Sequence, residues 1–178
     1  MENDRVQQVA FFRNVNQGQR GMPRTADLLD AFHDADVPDA TAFQSNGTVV
    51  FTTPDPAATL ADVRSSLMAR GSAVGEIYTR PILFIRDIVS RYRDHLDAGR
   101  FELTLFQDRQ VIVDEARMAE EAHRRRCEIV DHGPGWAVVS NERERQSNGT
   151  PTIEAALPVH ATSRGFPTLE RLVERLGS

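Results

Sequence analysis

Apolar and polar positions alternate along the first half of the chain in the order strand, helix, strand, strand, helix, strand. An apolar run predicts a strand over about Val6–Arg13, and a helix follows over about Thr25–Ala35, where Leu28 and Phe32 share a face with Leu29 alongside. Asn46-Gly47 between two apolar runs is a strong hairpin signal, predicting a two-residue turn with both residues at positive φ. Asp55-Pro56 reads as an N-cap followed by proline at the first helical position. Leu60, Val63 and Leu67 line one face of that helix, and Gly71 ends it. A fourth strand is expected from about Glu76 to Ile85.

A connecting helix capped by Asp87 comes next, with Ile88, Tyr92 and Leu96 at helical spacing. The second half then repeats the first half's order. Phe101–Phe106 reads as a strand, Asp114–Arg125 as a helix and Cys127–Val130 as a strand. Gly133-Pro134-Gly135 turns the chain into a strand over Trp136–Val139, and Thr150-Pro151 opens a helix through Leu157. An extended piece near Ala161 precedes a last helix carrying Leu169, Leu172, Val173 and Leu176. Two βαββαβ halves make an α+β protein of two ferredoxin-like subdomains, with a connecting helix and a C-terminal helix. The expected division is 1–98 and 99–178, with the junction near Asp94–Arg100.

The pentapeptide Gln-Ser-Asn-Gly-Thr occurs at Gln44–Thr48 and again at Gln146–Thr150. The first copy falls in a hairpin and the second leads into a helix, so the two are not topologically equivalent, and the recurrence is ascribed to the commonness of Asn-Gly turns.

Composition narrows the chemistry. The 178 residues hold no lysine, and 21 arginines carry all the positive charge of the side chains other than histidine. Schiff-base lysines, phosphate-loop lysines and lysine general bases are therefore excluded within this chain. The net charge of −5 argues against a general nucleic-acid binder. Arg124-Arg125-Arg126 is the one basic cluster, placed where a helix C-terminus favours positive charge. No apolar run approaches the roughly 18 residues of a membrane span. The start Met1-Glu2-Asn3-Asp4-Arg5 lacks a signal-peptide core, and the expected location is the cytoplasm. Cys127 is the only cysteine and begins an apolar strand, as expected of an inert core thiol. His33, His95, His123, His132 and His160 show no metal-ligand spacing, so no metal or cofactor is expected. Asp131-His132 reads as a turn pair.

Three polar segments are the candidates for a site. Arg13-Asn14-Val15-Asn16-Gln17-Gly18-Gln19-Arg20 follows the first strand and precedes a helix, where backbone N–H groups favour an anion and Arg13 adds a fork-shaped donor. Gln44-Ser45-Asn46 forms the hairpin. Ala161-Thr162-Ser163-Arg164-Gly165-Phe166-Pro167-Thr168 precedes the last helix, where its hydroxyls are expected to cap. Arg164 is the misfit, because positive charge at a helix start is unfavourable.

These segments resemble the pattern of the bacterial proteins grouped as Domain of Unknown Function 1697, a family without an assigned activity. That pattern has Arg-Gly-Ile-Asn-Val-Gly-Gly after a strand, then Gln-Ser-Gly-Asn, and Ala-Thr-Thr-Arg-Asn-Trp-Asn-Thr before the last helix. Arg13, Asn16 and Gly18 match the first motif, Gln44 and Ser45 the second, and Ala161, Thr162, Arg164 and Thr168 the third. Asn14 and Gln19 stand in place of small residues, Gly165 and Pro167 in place of two asparagines, and Gly149-Thr150-Pro151-Thr152 lacks the lysine of a fourth motif. The resemblance implies the same two-subdomain architecture. The ligand-binding set expected from residues and resemblance together is Arg13, Asn16, Gln44, Ser45, Arg164 and Thr168, holding a small anionic molecule in a cleft between polar loops. The alternatives are an enzyme using an arginine-lined pocket and single-stranded nucleic-acid binding, with Phe11, Phe12 and Phe51 stacking on bases.

Overall fold

The computed structural model describes residues 6–13, 15, 21–107 and 113–177. It is α+β, with two four-stranded antiparallel sheets and six helices among these residues. The chain forms two compact units, Met1–Phe84 and Ile85–Ser178. This boundary lies inside a helix, upstream of the Asp94–Arg100 segment where the sequence placed a junction.

In the first unit, β1 (Val6–Phe12), α1 (Thr25–Asp34), β2 (Thr41–Phe43), β3 (Thr48–Thr53), α2 (Pro56–Ala69) and β4 (Ile77–Pro81) follow in order. The sheet runs β2-β3-β1-β4, the ferredoxin-like arrangement. Period-two alternation along β1 sends Ala10 and Phe12 to the helix-covered face, where they join Leu28, Phe32, Phe51, Val63 and Leu67 in one core. Phe32 meets Phe12 edge-on with ring centroids 6.4 Å apart and Phe51 at 5.0 Å. Such ring pairs contribute about 0.5–1.5 kcal/mol beyond their area. Phe11, Phe12 and Phe51 are each only 1% exposed. None of these three offers a ring face to a base.

The Asp55 carboxylate caps α2 by accepting from Ala58 N at 3.0 Å, as expected. Gly71 (φ +79°) ends it, with Gly71 N donating to Met68 O and Ser72 N to Leu67 O. The hairpin differs from expectation. Phe43 pairs with Thr48 across a four-residue loop, and positive φ falls on Gln44 (59°) and Gly47 (70°) rather than on Asn46 and Gly47. Close packing sets this shape: a Cβ on Gly47 would stand 2.9 Å from Val15 Cβ and 3.0 Å from Phe12 Cβ.

The fourth strand is also shorter than expected. Ile82, Leu83, Phe84 and Ile85 belong to α3 (Ile82–Tyr92), because Ile82, Ile85, Ile88 and Val89 recur at helical spacing and are all buried. Asp87 is therefore inside the helix, paired with Arg91 one turn on, instead of capping it. Leu96 lies beyond the helix end and is fully exposed.

The second unit repeats the topology with β5 (Phe101–Phe106), α4 (Glu115–Arg124), β6 (Cys127–Gly133), β7 (Trp136–Asn141), α5 (Gly149–Ala156) and β8 (Ala161–Gly165) in the order β6-β7-β5-β8. Phe106, Met118, Val139, Ile153 and Leu157 form its core. The last helix, α6 (Phe166–Leu176), buries Phe166, Leu169 and Leu172. Phe166, Phe101 and Tyr92 make a three-ring cluster with centroids 5.8–5.9 Å apart. Asp131-His132 is within β6, not in a turn. Asp131 accepts from the Tyr92 hydroxyl at 2.8 Å.

Candidate functional site

The expected site residues are divided between the units, with Arg13, Gln44 and Ser45 in the first and Arg164 and Thr168 in the second. In the first unit, Phe12 N donates to Gly47 O at 2.8 Å, which sets the Gln44–Gly47 loop beside the end of β1. Arg13 is the residue after Phe12 in the chain, while Asn16 lies outside the described residues. Gln44 and Ser45 are exposed at the loop tip. The Arg13 guanidinium lies 3.8 Å from Glu76, and its backbone N–H donates to Glu76 O at 2.9 Å.

Arg164 corrects the argument that singled it out. It is a residue of β8, paired with Leu103 of β5, and so does not face a helix start from a loop. Alternation sends Arg164 and Leu103 to the sheet face opposite Thr104 and Ser163, which underlie α5. Its guanidinium donates to Thr162 Oγ1 at 3.0 Å and Ser163 O at 2.9 Å. Burial pushes its pKa down to about 10. The side chain is half-buried.

Beneath α5 lies a polar network that the sequence did not reveal. Glu102 on β5 is 2% exposed. One carboxylate oxygen accepts from Gly149 N at 2.5 Å and Asn141 Nδ2 at 3.1 Å, and the other from Ser147 Oγ at 2.8 Å. Asn141 Nδ2 also reaches Arg100 O at 3.2 Å, and its Oδ1 accepts from Asn148 N at 3.1 Å. A strand carboxylate therefore caps a helix whose own N-cap, Asn148, makes no side-chain cap bond. Gly149 is required by contact, since a Cβ there would fall 2.1 Å from Thr104 Oγ1. The second copy of the pentapeptide is the segment this network holds. The first copy makes a hairpin, so the same five residues serve unrelated structures.

The network anchors both ends of the Glu142–Ser147 loop, and this loop forms one wall of a cavity of about 480 Å³. Arg100, Glu144, Arg145, Gln146, Thr168 and Arg171 supply its polar lining. Thr168 is the one expected site residue found here. Arg100 is neutralised by Asp97 and donates to Glu142 O at 3.1 Å. Arg145 and Arg171 have no carboxylate partner among the described residues; Arg171 only approaches Thr168 Oγ1 at 3.5 Å. Arg145 has φ 63°, a left-handed conformation costing a non-glycine residue roughly 1–2 kcal/mol. The N-terminus of α6, without a side-chain cap, adds its partial positive charge at Gly165 and Thr168. Sequence reasoning missed Arg145 and Arg171 because neither lies in a motif, and only the fold gathers them.

A second cavity, about 540 Å³, lies between α4 and β6 and includes Glu115, His123, Cys127 and His132. Cys127 is half-buried rather than sealed in the core, and it contacts Thr152 Oγ1 at 3.3 Å. Burial raises its thiol pKa, contrary to what a reactive cysteine needs. Among the described residues no three His, Cys, Asp or Glu side chains are grouped to hold a metal ion. Nor is any helix among them long and apolar enough to cross a membrane.

Comparison with known proteins supports the fold. The conserved bacterial protein SP0830 from Streptococcus pneumoniae has a similar structure, with a TM-score of 0.66 over 98% of this chain and 99% of that one. The two share 13% sequence identity, so the likeness is one of fold. No family model and no curated protein matches the sequence.

Proposed function

We propose that this protein binds a small anionic molecule, and that the cavity between the Glu142–Ser147 loop and the start of α6 receives it. The observation that carries this reading is the pair Arg145 and Arg171, exposed side chains that line one surface cavity without a carboxylate partner among the described residues. Guanidinium groups present fixed forks of donors suited to phosphate or carboxylate oxygens. Thr168 and Gln146 add neutral hydrogen-bonding groups, and the volume is within the range of small-molecule sites. A second location is the end of β1, where the hydrogen bond from Phe12 N to Gly47 O sets the Gln44–Gly47 loop and where Arg13, Gln44 and Ser45 would hold an anion. Arg13 already faces Glu76, which makes it the poorer cation for the purpose.

Titration calorimetry with inorganic phosphate at low salt tests the proposal. Arg145→Ala and Arg171→Ala should each weaken binding by about ten-fold, in keeping with a lost charged hydrogen bond of roughly 1.5 kcal/mol. Arg13→Ala should leave binding unchanged. Loss of binding in Arg13→Ala alone would move the site to the first unit, and no phosphate binding at all would overturn the proposal.

A further inference from the structure

Building on the anion site just described, we propose that its ligand is a phosphomonoester bearing an amine, held by its phosphate at Arg145 and Arg171 and by its ammonium at Glu144. The inference comes from counting charges that the protein leaves uncompensated. Three arginines and one glutamate provide the charged lining. Arg100 is already paired with Asp97, which leaves two guanidinium groups, and two positive charges match a phosphomonoester dianion. Glu144 is the unexpected member. A carboxylate in a cavity with three arginines would ordinarily pair with one of them, yet Glu144 has no hydrogen-bond or ion-pair partner among the described residues.

Glu144 is exposed, and its carboxylate lies close to Gly99: a Cβ at that residue would stand 3.0 Å from Glu144 Oε1. Arg145, next in sequence, is turned by its left-handed φ and is not within ion-pair distance of it. Two cationic groups and a separate anionic group facing one space are complementary to a dipolar ligand, and a purely anionic one would be repelled by Glu144. The buried side of Phe101 and the exposed ring of Pro167 complete the lining and allow an apolar body between the two charged ends.

The test compares two probes by calorimetry at pH 7 and low salt: O-phosphoethanolamine, which has both groups, and ethyl phosphate, which lacks the amine. O-phosphoethanolamine should bind at least about ten-fold more tightly, and Glu144→Gln should bring the ratio of the two affinities close to one. Gly99→Ala, whose methyl group displaces the Glu144 carboxylate, should lower the ratio in the same direction. Equal binding of both probes to the unaltered protein would overturn the dipolar ligand while leaving anion binding intact. A ratio that survives Glu144→Gln would overturn the role of Glu144. Failure of both probes to bind, or binding indifferent to Arg145→Ala and Arg171→Ala, would overturn the anion site itself.

Discussion

Single residues in this chain are set by what surrounds them more than by their type, and Tyr92 and Arg164 show this in opposite ways. Tyr92 is pushed up to about 12, first by burial and then by its hydrogen bond to Asp131. A folded-state pKa above the ordinary value near 10 means that the folded chain keeps this proton after the unfolded chain has lost it. Tyr92 therefore contributes fully to stability below pH 10, and that contribution fades as pH rises from 10 towards 12. Absorbance titration at 295 nm should show one of the two tyrosines ionising late in the native protein, and Tyr92→Phe should abolish that late phase. An early, complete titration of both would show that the phenol is not held as described. Arg164, by contrast, carries a charge that burial disfavours, yet its guanidinium donates to Thr162 Oγ1 and Ser163 O. Arg164→Ala should destabilise the fold by about 1–3 kcal/mol through lost packing and orphaned acceptors. Arg164→Met should lose less, and urea denaturation will distinguish them. An unchanged midpoint in the alanine variant would return Arg164 to the surface role that its sequence suggested.

At the scale of elements, α5 depends on a group that belongs to β5. Glu102→Ala should leave Asn141 Nδ2 and Gly149 N short of an acceptor in a buried place and release the exposed Ser147 hydroxyl to water, costing about 2–4 kcal/mol in urea denaturation. Gly149→Ala should be comparably damaging because its methyl group meets the Thr104 hydroxyl. Near-native stability in both variants would mean that α5 caps itself. The same contrast explains what the sequence could and could not disclose. Leu28, Phe32, Leu60, Val63 and Leu67 were legible as core because their spacing matches a helix, and Asp55-Pro56 was legible because capping is local. Ile82 to Ile85 was not, since four consecutive apolar residues satisfy strand and helix alike until their neighbours decide. Glu102 was invisible for another reason: a glutamate inside Phe-Glu-Leu-Thr-Leu-Phe looks solvent-facing, and its partners lie about forty residues away. Of the candidate site, only Thr168 was foreseen within the arginine-lined cavity, because Arg145 and Arg171 acquire meaning only when a loop and a helix start meet.

For the whole molecule, the question is which of two similar units carries the site. Both have the same sheet arrangement, yet their polar features differ: the first has Arg13 paired with Glu76 at the end of β1, and the second a lined cavity with two guanidinium groups that have no carboxylate partner among the described residues. A chain of net charge −5 has no general attraction for anions, so any binding must come from such local concentrations of arginine. Binding to the native state alone stabilises it by about 2.7 kcal/mol when the ligand is at a hundred times its Kd, and the effect is strongest in the segments that touch the ligand. Hydrogen exchange with and without saturating phosphate should therefore show added protection around Gly99–Phe101, Glu144–Gln146 and Gly165–Arg171. The hairpin at Phe43–Thr48 should exchange at the same rate in both conditions. Sodium chloride at equal ionic strength is the control, because a general salt effect would slow exchange throughout. Protection confined to the hairpin and the end of β1 would transfer the site to the first unit. Protection only in the second unit would leave the Gln44–Gly47 loop as a turn shaped by the packing of Gly47 against Phe12 and Val15.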